Sequence, residues 1–264
     1  MDDPPDWIAE FTVSPRDFAA QLDAVVACGR TPVPVSDLAG HLVHRTPLPP
    51  RPVVLTFDDG FADLPGPTAE ALAARALPAT AYLTTGALTP GSGGGGSGGG
   101  GCLLPPAPMM TLAQATALEG YGIEVGAHTV THPQLDTLTA PALHRELRES
   151  KSTLEDVLGH EVAQLAYPHG YNSRAVRRAA EAAGYASAVA VRHALSSGRD
   201  EPYRIARLIV RRTHTVADIE SWMAGEGARG ERGRVAPFPD SAATLGWRLY
   251  RSARARVRGP EFAG

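Results

Sequence analysis

Cysteine is nearly absent from this chain: Cys28 and Cys102 are its two, in 264 residues. Neither has histidine or cysteine partners at zinc-type spacing, and nothing supports a disulfide between them, so a stapled scaffold is not the expectation. Cys28 falls in a helix-like pattern and reads as a small buried apolar residue. Long hydrophobic runs are also missing, so no segment reads as a membrane span. The start, Met1-Asp2-Asp3-Pro4-Pro5-Asp6, is acidic and proline-rich, unlike the basic-then-apolar start of a signal peptide. A cytoplasmic location is therefore expected. Charge of one sign is lacking as well: 25 Lys and Arg against 28 Asp and Glu give a net charge of −3, with no general pull toward nucleic acid.

What is present fits one globular domain of the larger kind, with 43% hydrophobic and 20% charged residues. Short apolar runs alternate with helical patterns. Ser14 stands as an N-cap before Phe18, Leu22, Val25 and Val26 at helical spacing, and Gly29 stops that helix. Residues 31–35 read as extended, and Ser36 as the cap of a brief helix through Leu42, where His41 and His44 take surface positions. Strands are expected at 53–57, 79–83, 123–127, 162–167, 186–191 and 207–210. Helices are expected after 64–67, from Thr111 to Glu119, over 142–158, from Ser173 to Ala183 and from Thr215 to Met223. His144 reads as a surface residue of the long helix. Such alternation predicts parallel βαβ units in a barrel or doubly wound sheet.

The expected organisation is a catalytic domain over 1–224 and a second region over 225–264, made of a linker and a basic C-terminal helix. Inside the domain, 91–101 is a glycine-serine tract without core-forming side chains, expected to be a flexible loop. The terminal helix, over 242–257, has a small apolar face of Leu245, Leu249 and Ala253 among four arginines. It reads as a helix packed on the barrel or as a frayed tail, with contact to a membrane surface as the sharper alternative.

Three expected strand ends carry polar residues: Asp58-Asp59, His128-Thr129-Val130-Thr131-His132-Pro133, and Tyr167-Pro168-His169-Gly170-Tyr171-Asn172. In a helical turn His128 and His132 would face one way and grip one metal ion. One carboxylate added to them makes three protein ligands and leaves positions open for water and substrate. A metal lowers the pKa of bound water from about 15.7 to about 7, and a second carboxylate beside that water would act as general base. Two adjacent aspartates then have separate tasks.

Thr56-Phe57-Asp58-Asp59-Gly60 followed by His128-Thr129-Val130-Thr131-His132-Pro133 resembles the polysaccharide deacetylase pattern, the NodB-like carbohydrate esterase family 4, over roughly residues 10–225. The resemblance implies a distorted (β/α)7 barrel, or one lacking its usual first strand, because this chain begins after the point where a strand ending in Tyr-His would stand. It implies metal-dependent removal of acetyl groups, usually from N-acetylated sugars. Asp58 takes the general-base position, and Asp59, His128 and His132 the metal-ligand positions, with zinc first and cobalt or nickel also fitting. Residues 165–170 take the place of a groove wall, so Tyr167, Pro168 and the neighbouring Tyr171 are expected to bind substrate. The backbone N–H of His169 takes the oxyanion role. The family often has an arginine two places before that proline, holding the base; Ala166 stands there. For the general acid, His214 is nearest in order and His193 second.

Three other functions compete. One is hydrolysis of another non-peptide C–N bond in a small amide or imide, which the missing arginine and the absent export signal favour. The second is an iron-dependent oxygenase, since two histidines and a carboxylate also describe that site. The third is a carbohydrate-binding protein without catalysis.

Overall fold

The computed structural model describes residues 4, 6–89, 102–191, 194–226 and 242–258. The glycine-serine tract and most of the expected linker lie outside them. Eight strands and eight α-helices are described: α1 Pro15–Ala27, β1 Thr31–Pro32, α2 Val35–His44, β2 Pro52–Val53, β3 Thr56–Phe57, α3 Ala69–Ala73, β4 Ala79–Leu83, α4 Leu112–Glu119, β5 Ile123–Ala127, α5 Ala140–Leu158, β6 Gln164–Ala166, α6 Arg174–Ala182, β7 Ser187–Val191, β8 Ile205–Arg207, α7 Val216–Ala224 and α8 Ala242–Arg258. Strands β3 to β8 form one parallel sheet in strict sequence order, and β1 pairs with β2 in parallel beside it. The sheet curls, with helices packed on it, into a distorted (β/α) barrel. Among the described residues no helix is long and apolar enough to cross a membrane.

Period-two alternation along the strands separates two cores. Ala79, Ala81 and Leu83 of β4, Leu165 of β6, and Ala188 and Ala190 of β7 join the larger cluster, into which Leu22, Leu72, Leu118, Leu147 and Trp222 pack from the helices. Tyr82, Ala166, Val189 and Ile205 face the other way and pack with Val35 and Leu42 of α2. Thus α2 seals the inner face of the curled sheet. Its first amides are satisfied from the barrel rather than by Ser36: Val35 donates to Thr80 Oγ1 at 3.0 Å and Ser36 to Glu124 Oε2 at 3.3 Å. A helix start needs acceptors from somewhere, and here tertiary contacts supply them.

Several expected boundaries move. The run 53–57 divides: β2 pairs with β1, and β3 pairs with β4, so one extended stretch bridges two sheets. The last strand is 205–207, not 207–210, which puts Arg207 at its carboxyl end. Ser14, Thr111, Ser173 and Thr215 do cap their helices, Thr111 and Thr215 with full capping boxes. Both cysteines are free, and Cys28 is half-buried rather than buried.

Gly126 of β5 lies under the Tyr82 ring. A Cβ there would come within 2.6 Å of the ring and 2.9 Å of the Gln164 carbonyl oxygen, groups contributed by the two strands that flank β5. Gly126→Ala is expected to destabilise the protein by about 1–3 kcal/mol through overpacking, read as a lower midpoint in thermal unfolding.

Candidate active site

Asp58 and Asp59 follow β3, His128 follows β5, Tyr167 to Gly170 follow β6, and Arg207 ends β8. In a parallel sheet these positions share one edge, the carboxyl edge, where such folds bind ligands. Three of the turns contain non-glycine residues in the left-handed region: Asp59 (φ 74°), Thr129 (67°), His132 (62°) and His169 (56°). Such backbone costs about 1–3 kcal/mol per residue and persists only where surrounding contacts enforce it.

The strain at Asp59 has a geometric result. Neighbouring residues of a strand point to opposite faces, and the left-handed residue just past β3 breaks that alternation. Both carboxylates therefore reach the same imidazole: His128 Nε2 lies 3.9 Å from Asp58 Oδ2 and 3.5 Å from Asp59 Oδ1. His132 Nε2 lies 3.3 Å from the same Asp59 oxygen. The two histidine rings meet edge to face, their centroids 4.8 Å apart. They converge without the expected helical turn: residues 128–132 form an irregular loop bent by its two left-handed residues.

That loop is held from behind. Glu146 of α5, 7% exposed, accepts the N–H groups of Val130 and Thr131, both at 2.9 Å, and the Thr131 hydroxyl at 2.7 Å. The N–H of His132 donates to Thr129 Oγ1 at 3.1 Å, and that of Gly86 to the Val130 carbonyl at 2.8 Å. A Cβ on Gly86 would sit 2.5 Å from that carbonyl oxygen. Nδ1 of His128 is 2.8 Å from the Ala166 carbonyl, an acceptor only. Nδ1 therefore carries the ring proton, and Nε2 turns its lone pair toward Asp59.

Burial holds the pKa of both histidines below the ordinary range, and the cost of protonating His132 next to the His128 and His169 imidazoles adds to the effect there, so both rings are held neutral. Burial first, and the Asp58 charge second, push Asp59 up to about 8. At Asp58 burial also works upward, but Arg207 and His128 outweigh it and hold the carboxyl below its usual range. Arg207 donates from Nη1 to Asp58 Oδ1 and from Nη2 to Oδ2, each at 2.7 Å, and from Nη1 to Thr56 Oγ1 at 3.0 Å. Its guanidinium carbon lies 5.5 Å from the centre of the Tyr82 ring.

Asp59 Oδ1 is buried with no hydrogen-bond donor on it. With the ring nitrogens of His128 and His132 it makes a group of ligand atoms all within 4.8 Å of one another. Three inward-facing acceptors leave a buried oxygen to be satisfied by a proton or a cation. Two nitrogens and one carboxylate oxygen suit a divalent ion.

The family model described as polysaccharide deacetylase matches residues 45–188, more than half of the chain, and spans both the Asp-Asp and the His-His turns. The chain belongs to the polysaccharide deacetylase family. A Bacillus subtilis (strain 168) relative carrying the provisional name polysaccharide deacetylase YxkH is 26% identical over 101 residues, which is 38% of this chain and 36% of that protein's length. The chain thus spans about a third of that relative. In fold it is similar to the Streptococcus pyogenes deacetylase PplD, solved with acetate: TM-score 0.70, 22% identity, covering 82% of this chain and 91% of the other. The Bacillus cereus polysaccharide deacetylase BC0361 superposes with TM-score 0.67 at 21% identity, over 84% of this chain and 66% of that one.

Some residues expected of a polysaccharide deacetylase are placed differently. Tyr167 has no exposed surface and donates its hydroxyl to the Tyr203 carbonyl at 3.1 Å; it supports the groove wall from within and does not line it. Pro168 is buried too, which leaves Tyr171 as the half-buried member of the expected substrate-binding trio. His214 packs its ring on Trp222 of α7, accepts the Arg211 N–H at Nδ1, and offers its carbonyl to Gln21 of α1. These contacts belong to the α1–α7 side of the fold rather than to the aspartate–histidine cluster. His193 lies outside the described residues. The ring of His169 does join the cluster, 4.7 Å from that of His132.

Sequence reasoning missed Arg207 and Glu146. With the last strand placed at 205–207, Arg207 would have stood at a carboxyl strand end with the other site residues. No sequence signal marked Glu146, which reads as one more charge on an amphipathic helix. Two outcomes follow. Near neutral pH, below the Asp59 value of about 8, binding of zinc to the apoprotein should displace the Asp59 proton; in buffer well above that value this contribution should vanish, leaving only the proton that zinc-bound water gives up. Calorimetry in buffers of different ionisation heat reads this directly. Glu146→Ala should weaken metal affinity by about 10–100-fold, measured by chelator competition.

Proposed function

We propose that this polysaccharide deacetylase removes acetyl groups from an N-acetylated sugar or polysaccharide in a metal-dependent hydrolysis. The observation that carries the reading is the convergence of two neutral imidazoles and a buried carboxylate oxygen, with a second carboxylate beside them already gripped by an arginine. Asp59, His128 and His132 would hold a divalent ion, zinc first and cobalt or nickel as alternatives. When bound, such an ion makes water acidic near neutral pH and polarises a carbonyl. Asp58 serves as general base: the Arg207 clasp keeps it ionised and fixes both of its oxygens. As Asp58 takes its proton, the water oxygen bonds to the acetyl carbon; the amide C–N bond then breaks, acetate leaves, and the sugar nitrogen departs as an amine that takes up that proton. The N–H of His169, in its left-handed turn beside His132, is the proposed oxyanion donor. Tyr171 is the proposed sugar contact.

The small-amide alternative leaned on a missing arginine. Arg207 supplies that function from another strand, and the alternative loses that support. An oxygenase reading gives the clasped Asp58 no task.

Purified protein should release acetate from N-acetylated chito-oligosaccharides. Chelation should abolish the activity, and zinc, cobalt or nickel should restore it. Asp58→Asn should bind metal at unchanged stoichiometry and lose about 10²–10⁴-fold in rate. Full rate in that variant, or no acetate from the metal-loaded wild type, would overturn the assignment.

A further inference from the structure

Helix α8 is attached to the barrel in an unusual way. Among its described side chains three large apolar ones face water: Trp247 is 53% exposed, Leu249 60% and Tyr250 53%. Among the described side chains the one it buries is charged, Arg251, 8% exposed. The guanidinium donates from Nη1 to Gln134 Oε1 and to Asp136 Oδ1, both at 2.9 Å, and from Nη2 to Asp136 Oδ2 at 2.6 Å. The Asp136 side chain is itself 6% exposed. The guanidinium carbon also lies 3.7 Å from the centre of the Tyr171 ring. A fork of donors on one carboxylate with an aromatic face beneath is a geometry that only arginine provides.

The partners of Arg251 come from two loops of the site. Gln134 and Asp136 continue the loop that carries His132. Tyr171 ends the groove-wall turn, and its ring lies 6.0 Å from that of His169, which lies 4.7 Å from that of His132. Arg251 therefore stands where the histidine loop and the groove wall come together, at the far end of a row of rings that starts at the candidate metal ligand.

We infer that α8 is a working part of the active site and that Arg251 is its positioning residue. It fixes Tyr171 and the 134–136 turn relative to each other, and so sets the wall against which the acetylated sugar lies. The inference rests on the deacetylase reading above. A boundary at residue 224 would then cut through the functional unit, and the segment matched by the family model, which ends at residue 188, contains neither Arg207 nor Arg251.

The test uses the full chain, loaded with zinc, and acetylated chito-oligosaccharides. Arg251→Met should remain folded by circular dichroism and keep its zinc, yet lose at least about tenfold in kcat/KM, mostly through KM. Arg251→Lys restores the charge but not the fork or the stacked plane, and should recover only part of the loss. Leu249→Ser, on the exposed side of the same helix, should match the wild type. The decisive measurement is a double-mutant cycle: in a Tyr171→Ala background, Arg251→Met should raise KM little further, because its effect passes through that ring. If Arg251→Met does not fold, Arg251→Lys with Tyr171→Ala completes the same cycle. Unchanged kcat and KM in the folded variants, with only a lowered thermal midpoint, would overturn the inference and leave the deacetylase reading intact. A wild type that releases no acetate would sink that reading first and this inference with it.

Discussion

Two carboxylates on adjacent residues, both partly buried, form the constraint around which this structure is arranged. Like charges so close cannot both stay ionised in a poorly solvated site without compensation. Arg207 compensates one of them, with two hydrogen bonds at 2.7 Å to Asp58. It cannot serve both, and Asp59 is left with a buried, undonated oxygen and a pKa raised to about 8. The asymmetry divides the labour: one carboxylate is kept charged by a permanent cation, and the other stays available for an exchangeable one.

The barrel exists to bring these groups to one edge. A parallel sheet in sequence order places every strand's carboxyl end on the same side, so residues as distant in the chain as Asp58 and Arg207 meet. The strands alone cannot complete the site. Regular alternation would point Asp58 and Asp59 apart, and the left-handed residues at Asp59, Thr129, His132 and His169 supply the necessary bends. Their strain is held by specific contacts such as the Glu146 carboxylate on the Val130 and Thr131 amides.

Support for the site is thus polar and comes from outside the motifs. Glu146 lies on α5, Arg207 on β8 and Arg251 on α8, and each sets a charged group against a residue of a loop at the site: the Val130 and Thr131 amides, Asp58 and Asp136. Buried ionic contacts of this kind are poor sources of net stability but demand a definite geometry. A loop held by apolar contact alone could slide by an ångström. A loop held by a two-pronged charge pair has one seat.

The reading of the residues alone reached the alternation of strands and helices, four helix caps, the apolar strands at 79–83 and 123–127, and the pairing of Asp58-Asp59 with His128 and His132. These are local facts: side-chain period, cap chemistry and motif spacing act over a few residues and are written in the chain itself. It erred where distance in space mattered. Tyr167 looked like a groove residue, but its side chain turns inward to reach the Tyr203 carbonyl. His214 is nearest in order for the acid, and its ring packs on Trp222 of α7. Position 166 holds alanine where the resemblance implies an arginine, but the requirement is for a guanidinium at a point in space, and β8 delivers one to Asp58. The chain's pattern by itself determined which elements form and which residues can bind a metal. Only the tertiary structure decided which charges face each other, because a carboxylate's partner is chosen by distance across the fold and not by separation along the backbone.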